Sequence, residues 1–223
     1  MVSKPDYEPN EIATIWEDLV QDESSSVLLN RATQGMYPPG STFKIVTALE
    51  YYRENGGDVS SYHYQCGGKF SKDGSSIRCY HGQNHGGVDF ERSFAKSCNS
   101  SFANIGTTFD ITSFRNTCND LLFNTELKME IPSKQSSFSL SVSDVSDAVM
   151  QTAIGQGKTQ ISPMHLNMMT SAIANGGVCM TPYVVDRIES ATGSVVKQNA
   201  PSQEKVMMTK EEADFLSEMM TSV

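Results

Sequence analysis

The chain has 223 residues, 38% of them hydrophobic and 19% charged, a composition that suits a folded domain with a real core rather than a disordered segment. Its formal charge of -9 and pI near 4.9 argue against a nucleic-acid surface, which needs clustered lysine and arginine. No run approaches the roughly 20 apolar residues that cross a bilayer, and no charged-then-apolar signal pattern opens the sequence; a longer parent chain could carry either.

In chain order, KPDYEPN reads as a turn and EIATIWEDLV as a short helix, with Trp16 as a packing residue. MYPPGSTFKIVTALEYYREN comes next. Pro38, Pro39 and Gly40 break whatever precedes them, and Ser41 or Thr42 can cap a first turn. Ile45, Ala48, Leu49 and Tyr52 then recur at helical spacing. The Gly-, Ser-, Tyr- and His-rich stretch 55–87 predicts an irregular region with a small hairpin. VDFERSFAKS and SSFANIGTTF predict short helices flanking Ser97-Cys98-Asn99, and ITSFRNTCNDLLFN predicts a third.

Residues 132–143 are Ser-rich and loop-like. After DAVMQTAIGQG, Ser162 is a good N-cap, Pro163 suits the first helical position, and Gly176-Gly177 stop the helix. YVVDRIESATGSVVK reads as two strands around Thr192-Gly193, and Thr209 with Glu212 forms a T-x-x-E capping box ahead of a final helix. Met164, Met168, Met169 and Met180 read as core filling and Cys118 and Cys179 as core thiols, while His63 and His165 have no evident partner.

S-x-x-K occurs four times, at Ser41–Lys44, Ser93–Lys96, Ser194–Lys197 and Ser202–Lys205. A hairpin or loop does not bring i and i+3 to one face, which sets aside the last two. Ser93 falls mid-helix, where its hydroxyl bonds back to the preceding turn. Ser41 alone stands at a glycine-preceded helix start, where the helix dipole favours an alkoxide and a lysine one turn on can take its proton. Ser97-Cys98-Asn99, the sole S-x-N, adds a hydroxyl able to relay a proton and a carboxamide able to hold a peptide-like substrate. On their own, those two residues read better as part of a polar turn.

Together, YPPGSTFK, FAKSCNSSFANIG and QTAIGQGKTQISPMHL…IANGG resemble, in order and spacing, the penicillin-binding proteins, most of all the monofunctional D,D-transpeptidases of peptidoglycan. The resemblance covers nearly the whole of 1–223 and implies an α/β (α+β) transpeptidase fold, here mainly helical with small hairpins and an incomplete central sheet. It implies that Ser41 attacks the carbonyl of a D-Ala-D-Ala stem peptide, that Lys44 is its base, that Ser97 shuttles the proton to the leaving D-alanine, and that Asn99 holds the substrate amide. β-Lactams would acylate Ser41 as mimics. No cofactor is required. The parent would be membrane-anchored at the extracytoplasmic face of a bacterial cell, working with a glycosyltransferase partner and not with nucleic acid.

The family's K-T-G strand motif is not in the sequence. Lys158-Thr159-Gln160 is a decoy, ahead of the Ser162 helix and with Gln where a residue without a side chain is needed. The expectation is therefore a domain truncated before K-T-G, short of half its oxyanion hole and impaired alone. A non-catalytic penicillin-recognising sensor or scaffold is the alternative, as is a serine β-lactamase, for which the sequence offers no well-placed loop glutamate.

The five cysteines cannot all pair with one another. Cys66, Cys79, His85 and Cys98 form C-x12-C-x5-H-x12-C, a ligand set that suits a structural zinc, with His81 equally available by position. A Cys66–Cys79 disulfide and free thiols stand beside that reading.

Overall fold

The fold is organised around α2 (Lys44–Glu54), which is buried on nearly every side: Val46, Ala48 and Leu49 are fully enclosed, and so are Lys44, Thr47 and Glu50. An amphipathic stripe predicts one buried face; this helix instead runs through the middle of the protein. Burial without full hydrogen bonding pushes the Glu50 carboxyl up to about 7. The computed structural model describes residues 2–223.

Helices dominate the described residues: α1 (Ile12–Gln21), α3 (Phe90–Ala95), α4 (Asn99–Gly106), α5 (Ile111–Asp120), α6 (Ser146–Ala153), α7 (Pro163–Ala174) and α8 (Lys210–Thr221) accompany α2. Strands β1 (His63–Cys66), β2 (Lys69–Lys72), β3 (Ser75–Arg78), β4 (Gly86–Asp89), β5 (Val178–Met180), β6 (Arg187–Glu189), β7 (Val195–Gln198) and β8 (Gln203–Val206) pair antiparallel as β1–β4, β2–β3, β5–β8 and β6–β7. Among the described residues no sheet exceeds two strands.

Phe43 is the hinge of the core, within 6.3 Å, centroid to centroid, of Phe114, Phe123 and Phe138. On the other side of α2, Tyr51 stacks on Phe90 at 5.0 Å and Tyr52 stacks on Phe215 of α8 at 4.3 Å. Arg53 fastens these elements, reaching Glu212 at 2.7 Å and Asp120 at 3.2 Å.

Several helix ends match the sequence signals. Ser162 caps α7 by accepting from the His165 amide, and Thr209 and Glu212 form the reciprocal capping box of α8. The Ser93 hydroxyl donates back to the Asp89 carbonyl at 2.6 Å, and β6 and β7 flank the Thr192-Gly193 turn. Buried His165 does have a partner, with Nε2 2.6 Å from the Leu121 carbonyl, and Cys118 and Cys179 are core thiols.

Three expectations are corrected. Trp16 is not a packing residue, being 52% exposed; no residue of α1 is fully buried, and Ile12, Ile15 and Leu19 are half-buried while Trp16 and Val20 face solvent. Met180 is likewise exposed at 39%, whereas Met168 and Met169 fill the core as read. Neither Ser41 nor Thr42 caps α2, because a 3-10 turn over Gly40–Phe43 leads into the helix and the Thr42 hydroxyl donates to the Pro39 carbonyl instead.

Candidate active site

That 3-10 turn presents Ser41 to solvent while Phe43, two residues on, is sunk in the core. The turn is braced from behind by residues 155–161. Gly40 N–H donates to the Gly155 carbonyl at 2.8 Å, and Tyr37 and Ile161 exchange hydrogen bonds of 3.1 and 2.9 Å. Gly155 has φ +73°, and any Cβ there would collide with the Gly40 carbonyl and the Phe43 Cβ. Of the two glycines in IGQG only Gly155 makes this close approach, and its constraint comes from Gly40, far away in the chain. Within the same stretch, Gln160 pairs with Ser137 through backbone hydrogen bonds of 3.0 and 2.9 Å.

Ser97 and Asn99 arrive from the junction between α3 and α4. Ser97 follows the end of α3 with φ +48°, while the Ser97 and Cys98 amides donate to the Phe94 and Ser93 carbonyls at 2.8 and 2.9 Å. This is a left-handed helix stop that glycine ordinarily fills. A serine in that left-handed conformation carries backbone strain that glycine would not. Cys98 turns inward as the N-cap of α4, while Ser97 and Asn99 on either side of it both reach Lys44.

The four residues singled out from the sequence meet at one atom. Lys44 Nζ lies 3.3 Å from Ser41 Oγ, 2.9 Å from Ser97 Oγ, 2.7 Å from the Ser97 carbonyl and 2.7 Å from Asn99 Oδ1. An ammonium has three N–H groups, so four acceptors cannot all be served at once, and the Ser41 contact is the longest. Asn99 is oriented by its Nδ2 donating to the Arg78 carbonyl at 3.2 Å. Burial pushes the Lys44 ammonium down to about 8. A lysine so poised can take a proton from Ser41, and the arrangement is chemically a serine–lysine site of the acyl-transfer type. The site opens into a cleft of about 310 Å³, with Ser41, Lys44 and Ser97 on one side and Ile45, Phe94 and Met220 supplying apolar lining.

Behind Asn99, Cys66, Cys79, His85 and Cys98 converge, with one ligand atom of each within 4.8 Å of the others; His81 is exposed and outside the group. All five cysteines are free, so the Cys66–Cys79 disulfide is not formed. His63 lies apart, exposed on β1.

Comparison with known proteins gives the family. Residues 1–223 match the penicillin binding protein transpeptidase domain, and the chain belongs to that family. It is 26% identical over 233 residues to the peptidoglycan D,D-transpeptidase PbpA of Mycolicibacterium smegmatis, covering 100% of this chain and 47% of that protein. It is 24% identical to stage V sporulation protein D of Bacillus subtilis, covering 100% of this chain and 34% of that one. The chain thus spans half or less of the length of these relatives. Penicillin-binding protein A of M. tuberculosis, solved as an imipenem acyl-enzyme, superposes with a TM-score of 0.87 at 25% identity over 99% of this chain and 53% of that one. A D,D-transpeptidase domain from Eggerthella lenta shares the fold with a TM-score of 0.89 at 23% identity, over 98% of this chain and 56% of that one. The mixed α/β transpeptidase fold is therefore that of this chain.

Proposed function

We propose that this domain belongs to a serine D,D-transpeptidase that cross-links peptidoglycan stem peptides through an acyl-enzyme and is acylated by β-lactams. The observation that carries this is the convergence of Ser41, Ser97 and Asn99 on the buried Lys44 Nζ. Neutral Lys44 accepts the Ser41 proton as Ser41 Oγ attacks the D-Ala-D-Ala carbonyl. The new bond is Oγ–C; the bond that breaks is the peptide C–N; the proton travels through Ser97 to the departing D-alanine amine. Asn99, its Oδ1 held by Lys44, keeps an Nδ2 hydrogen for the substrate backbone. An amine of a second stem peptide then takes the acyl group and frees Ser41.

The relatives named as D,D-transpeptidases and the β-lactam acyl-enzyme of a structural neighbour support this reading. It locates the work at the extracytoplasmic face of a bacterial membrane, with the anchor in the parent protein and a glycosyltransferase as partner. No helix among the described residues is long and apolar enough to cross a membrane. For this chain by itself we expect slow acylation, since the sequence lacks the K-T-G motif to which the family resemblance gives half the oxyanion hole.

The test is intact-mass spectrometry after incubation with a penicillin. The wild type gains one covalent adduct, and Ser41→Ala gains none. An adduct on both proteins would move the nucleophile to another serine.

A further inference from the structure

The S-C-N junction shows two faces. Ser97 and Asn99 reach Lys44, while the residue between them, Cys98, is fully buried in the opposite direction. There it meets Cys66 at the end of β1, Cys79 just after β3, and His85 from the loop before β4. These three thiols form a buried cluster apart from the main apolar core, with Tyr64 packed against it.

The distances are those of a metal site. Zinc bonds of about 2.3 Å to sulfur and about 2.0 Å to nitrogen, at tetrahedral angles, set neighbouring sulfurs about 3.8 Å apart and sulfur and nitrogen about 3.5 Å apart. Here Cys66 Sγ lies 3.8 Å from Cys79 Sγ, Cys79 Sγ lies 3.7 Å from Cys98 Sγ, and Cys66 Sγ lies 3.4 Å from His85 Nδ1.

Polar donors surround the sulfurs as they do in thiolate sites. The Ser100 hydroxyl stands 3.1, 3.2 and 3.4 Å from the sulfurs of Cys66, Cys79 and Cys98. The Gly68 and Ser100 amides point N–H groups at Cys66 and Cys79 from 3.4 and 3.5 Å. Such outer hydrogen bonds orient ligands and offset thiolate charge.

We propose that Cys66, Cys79, Cys98 and His85 Nδ1 bind one zinc ion, closing a structural site directly behind the catalytic junction. Three thiols release three protons and the imidazole binds neutral, so the site carries a net charge of one negative. All four positions are filled by protein, which makes the ion structural rather than catalytic. It ties two strand ends to the α3–α4 junction and so clamps Ser97 in its left-handed conformation from the rear. Metal binding stands independently of the proposed reaction; the dependence of acylation on the metal rests on it.

The experiment is zinc analysis of the chain purified without chelator, joined to the absorption spectrum of the cobalt(II)-exchanged protein. One zinc per chain is expected, with thiolate-to-cobalt charge-transfer bands and tetrahedral d–d bands, all lost in Cys79→Ser and His85→Ala. A ligand variant that does not fold also loses metal, so the wild type is stripped with a chelator and reloaded with zinc alone. Tm then falls and recovers, and the penicillin acylation rate follows it. A folded, zinc-free protein that takes up no added zinc would overturn the site, as would a Cys66–Cys79 disulfide in a non-reducing peptide map. Zinc binding without any acylation would instead tell against the proposed reaction, and full acylation by the stripped protein would overturn the clamp on Ser97.

Discussion

Two sharp turns deliver chemistry to Lys44, and they hold their shape in different ways. The turn before Ser41 uses glycine where the chain must be left-handed, Gly40 at φ +58° against Gly155 at φ +73°, and locks it with backbone hydrogen bonds to residues 155–161. The turn at Ser97 places a serine in the same region of backbone space at φ +48°, with the Ser97 and Cys98 amides on the Phe94 and Ser93 carbonyls and Cys98 sunk among the buried cysteines behind it. The difference follows from where the reactive group sits. At the first turn the strained residue precedes the functional serine, so it can be glycine at no chemical loss. At the second, the strained residue is itself the proposed proton relay, and under that proposal its hydroxyl cannot be given up to relieve the backbone.

The first turn breaks hardest. Gly155→Ala would thrust a Cβ into the Gly40 carbonyl and Phe43, neither of which can yield, and would add strain at a positive φ. We expect a loss on the order of 3 kcal/mol in denaturant unfolding together with loss of penicillin acylation. Unchanged stability would mean that residues 155–161 do not hold the nucleophile turn as tightly as the contacts indicate.

Where the turns meet, the effect becomes a pH dependence. Protonated Lys44 cannot accept the Ser41 proton, so acylation needs the neutral amine. With the ammonium lowered to about 8 by burial, the rate should rise with pH, climbing roughly 50-fold from pH 6 to pH 8 and levelling above. The direction is fixed: a buried lysine loses its proton more easily, so activity grows on the alkaline side. Stopped-flow acylation across that range measures it, and a flat profile would remove Lys44 as the base.

Much of this was legible in local sequence, because caps, stops and the Ser–Lys spacing are written within a single turn of chain. Ser162, the Thr209–Glu212 box and the back-bonded Ser93 depend on neighbours three or four residues away, and each took its expected form. What escaped depends on long-range contact. Trp16 could not be read as exposed without knowing which face of α1 has a partner, and the stripe on α2 gave no hint that its polar side is buried too. The Cys66, Cys79, His85 and Cys98 spacing included the histidine that the fold brings to the three sulfurs but offered nothing to prefer it over His81; the backbone carries His81 outward, edge-on to Tyr80. The role of Gly155 was hidden for the same reason, since its constraint comes from Gly40, distant in sequence.

The smallest effect on stability should also separate the two turns most cleanly. Ser97→Gly removes a side chain from a left-handed position, where an L-residue costs about 1 kcal/mol relative to glycine. It also removes the 2.9 Å contact with Lys44 Nζ, while the 2.7 Å contact from Lys44 to the residue 97 carbonyl survives. The fold should therefore be unharmed or firmer by up to about 1 kcal/mol, although glycine's freer unfolded chain offsets part of the gain. Acylation, deprived of a proton relay, should fall about 100-fold. Thermal unfolding and acylation kinetics on one preparation would show the two quantities moving apart. If instead Tm drops by several degrees while acylation persists, the serine at position 97 serves the backbone rather than the reaction, and the two turns would differ only in how they are built.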